Sequence, residues 1–323
     1  MKYLSYIGSH QGVLRGFVRY FKYIFLSLAV AFFFYYIYLS RSEIWKIIST
    51  ANYWYLVLAW AAWLPVHFVS PAFTKIVIQG MGEKFHYVKA LDIHATYVPA
   101  KYLPGGVWHT VARVTILHRM GFSRKKISSI VFLENLFAPV VSISLGSAFL
   151  IFHVVGETKL ILMVLSLIIS LSALLVGYMA IGKFVLIFES SVSFRRYVRL
   201  FFVTALFWVF SSVSFLLFLH AFSSEVIVSS WFEVVGVYLY SWGVGFLAFF
   251  APQGLGVFEV VAANLLSADM PVQSLIVILA LFRFITAMAD LSFWLLWLLV
   301  RNIVLLNTRL CRHLLTTSDL GDN

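Results

Sequence analysis

Lys101-Tyr102-Leu103-Pro104-Gly105-Gly106-Val107-Trp108 cuts an apolar run that otherwise extends from about residue 90 to 112. A second run, about 234–266, is cut in the same way by Pro252-Gln253-Gly254-Leu255-Gly256. Proline removes a backbone donor and glycine frees the backbone, so a helix tends to stop there. In hydrocarbon a broken helix survives only where protein or a wet cavity receives its unpaired backbone groups. The reading of these two breaks decides the fold: each region either enters and turns back or crosses as an ordinary span.

The rest of the chain identifies the solvent as lipid. Of 323 residues, 62% are hydrophobic and 11% charged, and the mean hydropathy is +0.94. A soluble domain is about 45–50% apolar and about 25% charged. Aromatics reach 18%, which suits lipid-facing and interfacial surface. The net charge of +11 lies between apolar runs, a topology signal and not a nucleic-acid footprint. The single cysteine, Cys311, excludes an internal disulfide and a Cys-based metal cluster.

Six segments approach the roughly 20 apolar residues that cross a bilayer. They are about 23–39, 53–74, 127–153, 160–182, 200–222 and 273–300. The first has no small-residue cleavage site after it and reads as a retained span. Nineteen of the 24 Lys and Arg fall in five segments: the N-terminal stretch, 75–89, 113–126, 183–199 and the tail. Positive charge stays in the cytoplasm. Both flanks of 90–112 are therefore cytoplasmic, and that region enters from inside and turns back. The flanks of 234–266 carry Glu225, Glu233, Glu259 and Asp269 with no Lys or Arg, so that region enters from outside. The alternative makes each an ordinary span, giving eight crossings. The loop 183–199, with Phe184, Phe188, Phe194 and Tyr197 among its charges, reads as a surface amphipathic helix.

The expected fold is thus an all-α polytopic membrane protein in one transmembrane domain, residues 1–323. Its two inverted halves are 1–156 and 157–300, followed by a cytoplasmic tail, 301–323. Pro/Gly-interrupted segments at matching places in inverted halves point to a transport site.

Pro104-Gly105-Gly106 opens a half-helix whose N-terminus carries free N–H groups and partial positive charge, an anion site. Lys101 and Arg113 flank it. The charges inside apolar stretches are Asp92, Lys101, Glu134, Glu259, Arg283 and Asp290. Burial of each costs at least a few kcal/mol, which makes each a functional candidate. Arg283 and Asp290 lie seven apart on one helix face, too distant to pair, and Glu134 or Glu259 can serve Arg283. The alternative is a purely structural ion-pair network. His94 and His109 flank the first break and could pass protons with Asp92; the remaining histidines read as packing. Trp108, Trp242 and Tyr102 read as lining or anchoring residues.

These residues resemble the transmembrane region of the lysylphosphatidylglycerol synthase/flippase family. The resemblance rests on Lys101 to Trp108, Arg113, the basic turn Arg119-Met-Gly-Phe-Ser123 and Leu133-Glu134. It continues through Pro252-Gln-Gly-Leu-Gly-Val-Phe-Glu259 and ends on Arg283 with Asp290. It implies a bacterial inner-membrane protein, both termini cytoplasmic, that moves an anionic or lipid-linked substrate between leaflets. The implied substrate-binding set is Lys101, Pro104, Gly105, Gly106, Trp108, Arg113, Glu134, Asn135, Pro252, Gly254, Gly256, Glu259, Arg283 and Asp290. Where the family often carries Arg, this chain has Asn135 and Phe258. The soluble aminoacyl-transfer domain is absent, so lysyl-lipid synthesis is not expected. The partner expected is a phospholipid or a polyprenyl-phosphate-linked glycan, with no cofactor, metal, nucleic acid or enzymatic step. The competing readings are an integral-membrane glycosyltransferase or polymerase and a non-catalytic envelope-assembly partner.

Overall fold

The computed structural model describes residues 38, 45, 48–102, 108–155, 193–222, 230–248, 251–268 and 270–318. The expected spans at 23–39 (Tyr38 excepted) and 160–182 lie outside the described residues, as do Pro104, Gly105 and Gly106. Among the described residues the chain is helical and without strands: α1 Tyr53–Trp63, α2 Val66–Gly80, α3 Tyr87–Tyr97, α4 Trp108–Arg119, α5 Arg124–Val155, α6 Phe194–His220, α7 Trp231–Leu247, α8 Val257–Leu265 and α9 Val272–Ser318. Short 3₁₀ turns at Val98–Tyr102 and Pro252–Gly254 follow α3 and α7. Four stretches are long and apolar enough to cross a membrane: Tyr53–Gly80 (α1 with α2), Arg124–His153, Phe194–His220 and Val272–Ile303.

The second interrupted region is broken at its Pro/Gly motif, by the 3₁₀ turn Pro252–Gly254; in the first, the α-helix ends at Tyr97, ahead of Pro104, and gives way to the 3₁₀ turn Val98–Tyr102. In each region the two flanks meet. Before α3 and after α4, Lys126 Nζ lies 2.5 Å from Glu83 Oε1 and the Phe85 and Phe122 rings meet at 6.1 Å. Across the second region, the Ser267 N–H beyond α8 donates to Glu233 Oε1 in the first turn of α7 at 2.5 Å. Helix α5 joins these two bases. It begins beside Lys126 and reaches His153, whose Nε2 is 3.7 Å from Glu233. At 1.5 Å per residue its 32 residues extend about 48 Å. The two hairpins therefore start at opposite ends of α5. Their tips meet between the ends, where the Gln253 side chain donates to the Lys101 carbonyl.

Close packing holds α7 along α5. A Cβ on Gly146 would fall 2.5 Å from the Tyr240 N, and one on Gly236 2.9 Å from the Leu150 N. Only glycine allows backbones this near, the small-residue packing that associates helices in lipid. Around this pair, Trp208, Phe215, Tyr238, Phe258 and Phe282 form an aromatic core. Trp242 packs edge-on against Trp208 at 4.7 Å.

Two boundaries differ from the sequence reading. Residues 194–199 are not a separate surface helix: α6 begins at Phe194 and runs without a break to His220. Arginine is a good helix former, and nothing in 194–200 interrupts the ladder. Arg196 instead donates to the Gly80 carbonyl at 3.1 Å, a cation at the C-terminus of α2, and Tyr197 is buried against Phe137. Likewise α9 passes 300/301 unbroken and continues to Ser318. Residues 183–192 of the expected amphipathic segment lie outside the described residues.

Candidate functional site

The tips of the hairpins and the faces of α2, α5 and α9 that meet them carry three ion pairs. Each joins a cation, Lys101, Arg113 or Arg283, to one of the carboxylates read as buried.

The first is Lys101 with Asp290. Asp290 is fully buried on α9. It also accepts from Trp63 Nε1 at 2.8 Å and from the Tyr102 hydroxyl, and His67 Nε2 stands 3.0 Å from its Oδ1. An isolated carboxylate in this setting would be strongly unfavourable, and the donors Lys101, Tyr102 and Trp63 offset that.

The second is Arg113 with Glu134, held by both terminal nitrogens in the fork geometry specific to guanidinium. Thr74 on α2 closes the triangle: its hydroxyl donates to Glu134 at 2.9 Å and accepts from Arg113 Nη2 at 3.1 Å. The guanidinium lies 5.5 Å from the Tyr97 ring centre.

The third is Arg283 with Glu259. Arg283 also donates to the Gln253 and Gly254 carbonyls at 3.1 and 3.2 Å, fixing the tip of the second hairpin. Glu259 Oε2 accepts from the Gly256 N–H at 2.7 Å. The N-terminus of α8 is thereby filled by its own carboxylate. Gln253 holds φ 54 and Gly254 φ 65, the left-handed conformations a tip this sharp requires.

The pairs are joined. His67 Nδ1 and His94 Nε2 are 3.1 Å apart, and His94 Nδ1 is 3.0 Å from the Tyr97 hydroxyl. His67 stacks on Phe293 at 4.2 Å. A polar path thus runs from Glu134 and Arg113 through Tyr97, His94 and His67 to Asp290 and Lys101, then through Gln253 to Arg283 and Glu259. It is charge-balanced, three cations against three carboxylates. Lys101 and Arg283 keep 29% and 28% of their side chains exposed.

Other residues singled out by the sequence stand elsewhere. Asp92 accepts from Trp297 Nε1 at 3.1 Å and pairs with Arg301 at 3.7 Å, near the base of the first hairpin and away from His94. His109 contacts its neighbour Thr110 at 3.1 Å. Asn135 is exposed and bonds back to the Val131 carbonyl at 2.7 Å. Trp108 is 44% exposed. Trp63, His67, Thr74, Tyr97 and Gln253 are site members that sequence reasoning missed. Three of them carry a signal: Trp63, His67 and Thr74 are spaced four and seven apart, one polar stripe on a single helical face. An open cavity of about 270 Å³, lined by Lys75, Gln79, Lys84, Phe85, His86 and Tyr87, lies at the base of the first hairpin and not on the network. Among the described residues no cluster of three or more His, Cys, Asp or Glu could hold a metal ion.

A family model described as Lysylphosphatidylglycerol synthase TM region matches residues 24–293. No curated protein matches the chain.

Proposed function

The chain belongs to the lysylphosphatidylglycerol synthase TM region family, and from that premise we propose that it moves an anionic or lipid-linked substrate between membrane leaflets without chemical turnover. Membership ties it to the membrane and to lipids. The observation that carries the finer reading is the contact between the hairpin tips. It brings Lys101, Arg113 and Arg283, each already paired, onto one path inside an apolar bundle.

The arrangement favours partner exchange. A phosphate-bearing head group competes with Asp290 for Lys101 and with Glu259 for Arg283, while its acyl chains stay in lipid along the aromatic outer surface. Neutral pairs keep the empty path free of net charge, and the substrate's own charge is needed to open them. The hairpins enter from opposite membrane sides, the first from the cytoplasm, as the basic flanks require. The two halves are then an inverted repeat in an inner membrane, with both termini cytoplasmic. Broken helices meeting near the midplane are the usual place for a transporter's substrate. The phosphate of a phospholipid and that of a polyprenyl-linked glycan offer the same chemistry to these cations.

The test is lipid movement by purified protein in liposomes carrying fluorescent phosphatidylglycerol, with dithionite bleaching the outer leaflet. Wild-type protein is expected to raise the exchange rate well above empty vesicles. Glu259→Gln, which leaves Arg283 without its carboxylate, is expected to lower that rate about tenfold or more, a loss of about 1.4 kcal/mol of barrier stabilisation. A panel of candidate lipids that all move no faster than in empty vesicles overturns the proposal.

A further inference from the structure

The three ion pairs do not account for His67 and His94, which lie buried between them at 3% and 8% exposure. His94 is bridged through both ring nitrogens, and His67 through Nδ1, with its Nε2 standing beside Asp290. A carboxylate can only accept, so the neutral chain has one consistent polarity. The Tyr97 hydroxyl donates to His94 Nδ1, His94 Nε2–H donates to His67 Nδ1, and His67 Nε2–H faces Asp290. Distances along it are 3.0, 3.1 and 3.0 Å. The last joint is close but unaligned, so His67 Nε2 is left without a formed hydrogen bond. Tyr97, at the other end, is half-buried.

We propose that Tyr97, His94, His67 and Asp290 form a proton relay, so that this protein moves one proton together with each anionic lipid. This rests on the lipid-translocation reading above. The argument is one of charge conservation in an apolar interior. With the site empty, Lys101 neutralises Asp290. When Lys101 swings to a head-group phosphate, Asp290 keeps only the neutral donors Trp63 and Tyr102. A fully buried carboxylate without a counter-charge is unfavourable. The relay supplies the missing charge. A proton from water reaches the Tyr97 oxygen, the Tyr97 hydroxyl proton passes to His94 Nδ1, and the His94 Nε2 proton passes to His67 Nδ1. The added proton then rests between His67 Nε2 and Asp290 Oδ1, and a small rotation of the imidazole closes the unaligned joint. Before binding, the site holds Lys101⁺ and Asp290⁻. After binding, it holds Lys101⁺ with phosphate⁻ and one proton with Asp290⁻, so its net charge is unchanged. Release of the lipid returns Lys101 to Asp290, and the proton leaves through His67, His94 and Tyr97 in reverse, to water on the side then open to the site.

The charged and titratable groups facing this chain come from every element packed on it. They are Lys101 and Tyr102 from the first hairpin tip, Arg113 from α4 over the Tyr97 ring, and Glu134 from α5 on Arg113. Arg283 stands on α9 seven residues before Asp290, engaged by Glu259 from α8. Arg113 and Glu134 keep each other throughout, and Glu259, when a head group takes Arg283, keeps the Gly256 N–H at the N-terminus of α8. The chain's only unmatched step is the departure of Lys101.

The experiment uses the full chain in liposomes of phosphatidylethanolamine with a minority of phosphatidylglycerol. It follows fluorescent phosphatidylglycerol and the internal pH dye pyranine together, with membrane potential clamped to zero by potassium and valinomycin. With one proton per singly charged lipid, a gradient of one pH unit is expected to bias the lipid toward the leaflet facing the alkaline side by up to about tenfold. Pyranine is expected to report proton movement in step. His67→Gln and His94→Gln, checked for monodispersity, are expected to lose both the bias and the pH signal. Lipid movement that is indifferent to the gradient and silent in pyranine overturns the relay and leaves translocation standing. Proton flux abolished by His67→Gln, with no lipid movement, keeps the relay and overturns the lipid reading. Neither signal overturns both.

Discussion

Asp290 is the residue on which the most contacts converge, from Trp63, His67, Lys101 and Tyr102. Removing one partner of a buried ion pair costs about 3–5 kcal/mol. Lys101, still 29% exposed, can reach water in part, so Asp290→Asn is expected near the lower end. In the Asp290→Asn background, Lys101→Met is expected to recover stability, because no cation is then stranded; the coupling expected for contacting residues is about 1–3 kcal/mol. Unfolding midpoints in detergent across the four-member cycle measure this, and strictly additive effects would show the pair to be incidental. At this scale the sequence exposes the charges and hides the pairings. An ionisable residue within an apolar run is visible because its burial is costly, which is why Lys101, Glu134, Glu259, Arg283 and Asp290 were found; Arg113 was counted with the basic flank 113–126, and the structure buries it. Which carboxylate meets which cation depends on tertiary contacts 21 to 189 residues apart. Asn135, adjacent to Glu134, turns outward because successive residues on a helix differ by about 100°.

Helix breaks and their tips are elements whose geometry depends on glycine for two separable reasons. Gly254 has φ +65, and a Cβ there would sit 2.7 Å from the backbone of Gly245. Gly82, in the turn after α2, has φ +82 with nothing within 4 Å of the same added atom. Gly82→Ala therefore incurs only the left-handed conformational cost, about 1–2 kcal/mol. Gly254→Ala incurs that cost and a backbone collision, and must displace the tip that Arg283 and Lys101 hold. We expect it to lose at least twice as much stability as Gly82→Ala and to abolish lipid exchange, which thermal unfolding and the liposome assay compare directly. Equal effects would mean that the tip yields freely. The position of the second break was legible because proline and glycine act locally; in the first region the α-helix already ends at Tyr97, ahead of the Pro/Gly motif. The start of α6 was not: Arg195, Arg196 and Arg199 read as loop charges, yet they extend a helix whose length is set by Arg196 reaching Gly80 and Tyr197 packing on Phe137.

Across the whole molecule, charge distribution and contacts support the proposed re-entrant arrangement by independent routes. Basic residues at 75–89 and 113–126 place both flanks of the first hairpin on one side, and the Glu83–Lys126 contact joins those flanks. The acidic flanks of the second hairpin are joined by Glu233 and Ser267. Helix α5 separates the two bases by about 48 Å, more than the roughly 30 Å hydrocarbon core. This length supports the proposed placement of the bases at opposite surfaces; eight straight spans would put Glu83 and Lys126 on opposite sides. Single cysteines decide between the two. In a Cys311→Ser background, Ser123→Cys and Ser267→Cys replace exposed serines at the two bases. An impermeant maleimide added to intact cells is expected to label position 267 and spare position 123, and inverted vesicles are expected to reverse the pattern. Labelling of position 123 from outside intact cells would place the cluster Arg119, Arg124, Lys125 and Lys126 outside and overturn the re-entrant first hairpin. Labelling of both positions from one side would overturn the opposition of the hairpins, and with it the path from one surface to the other through Lys101 and Gln253.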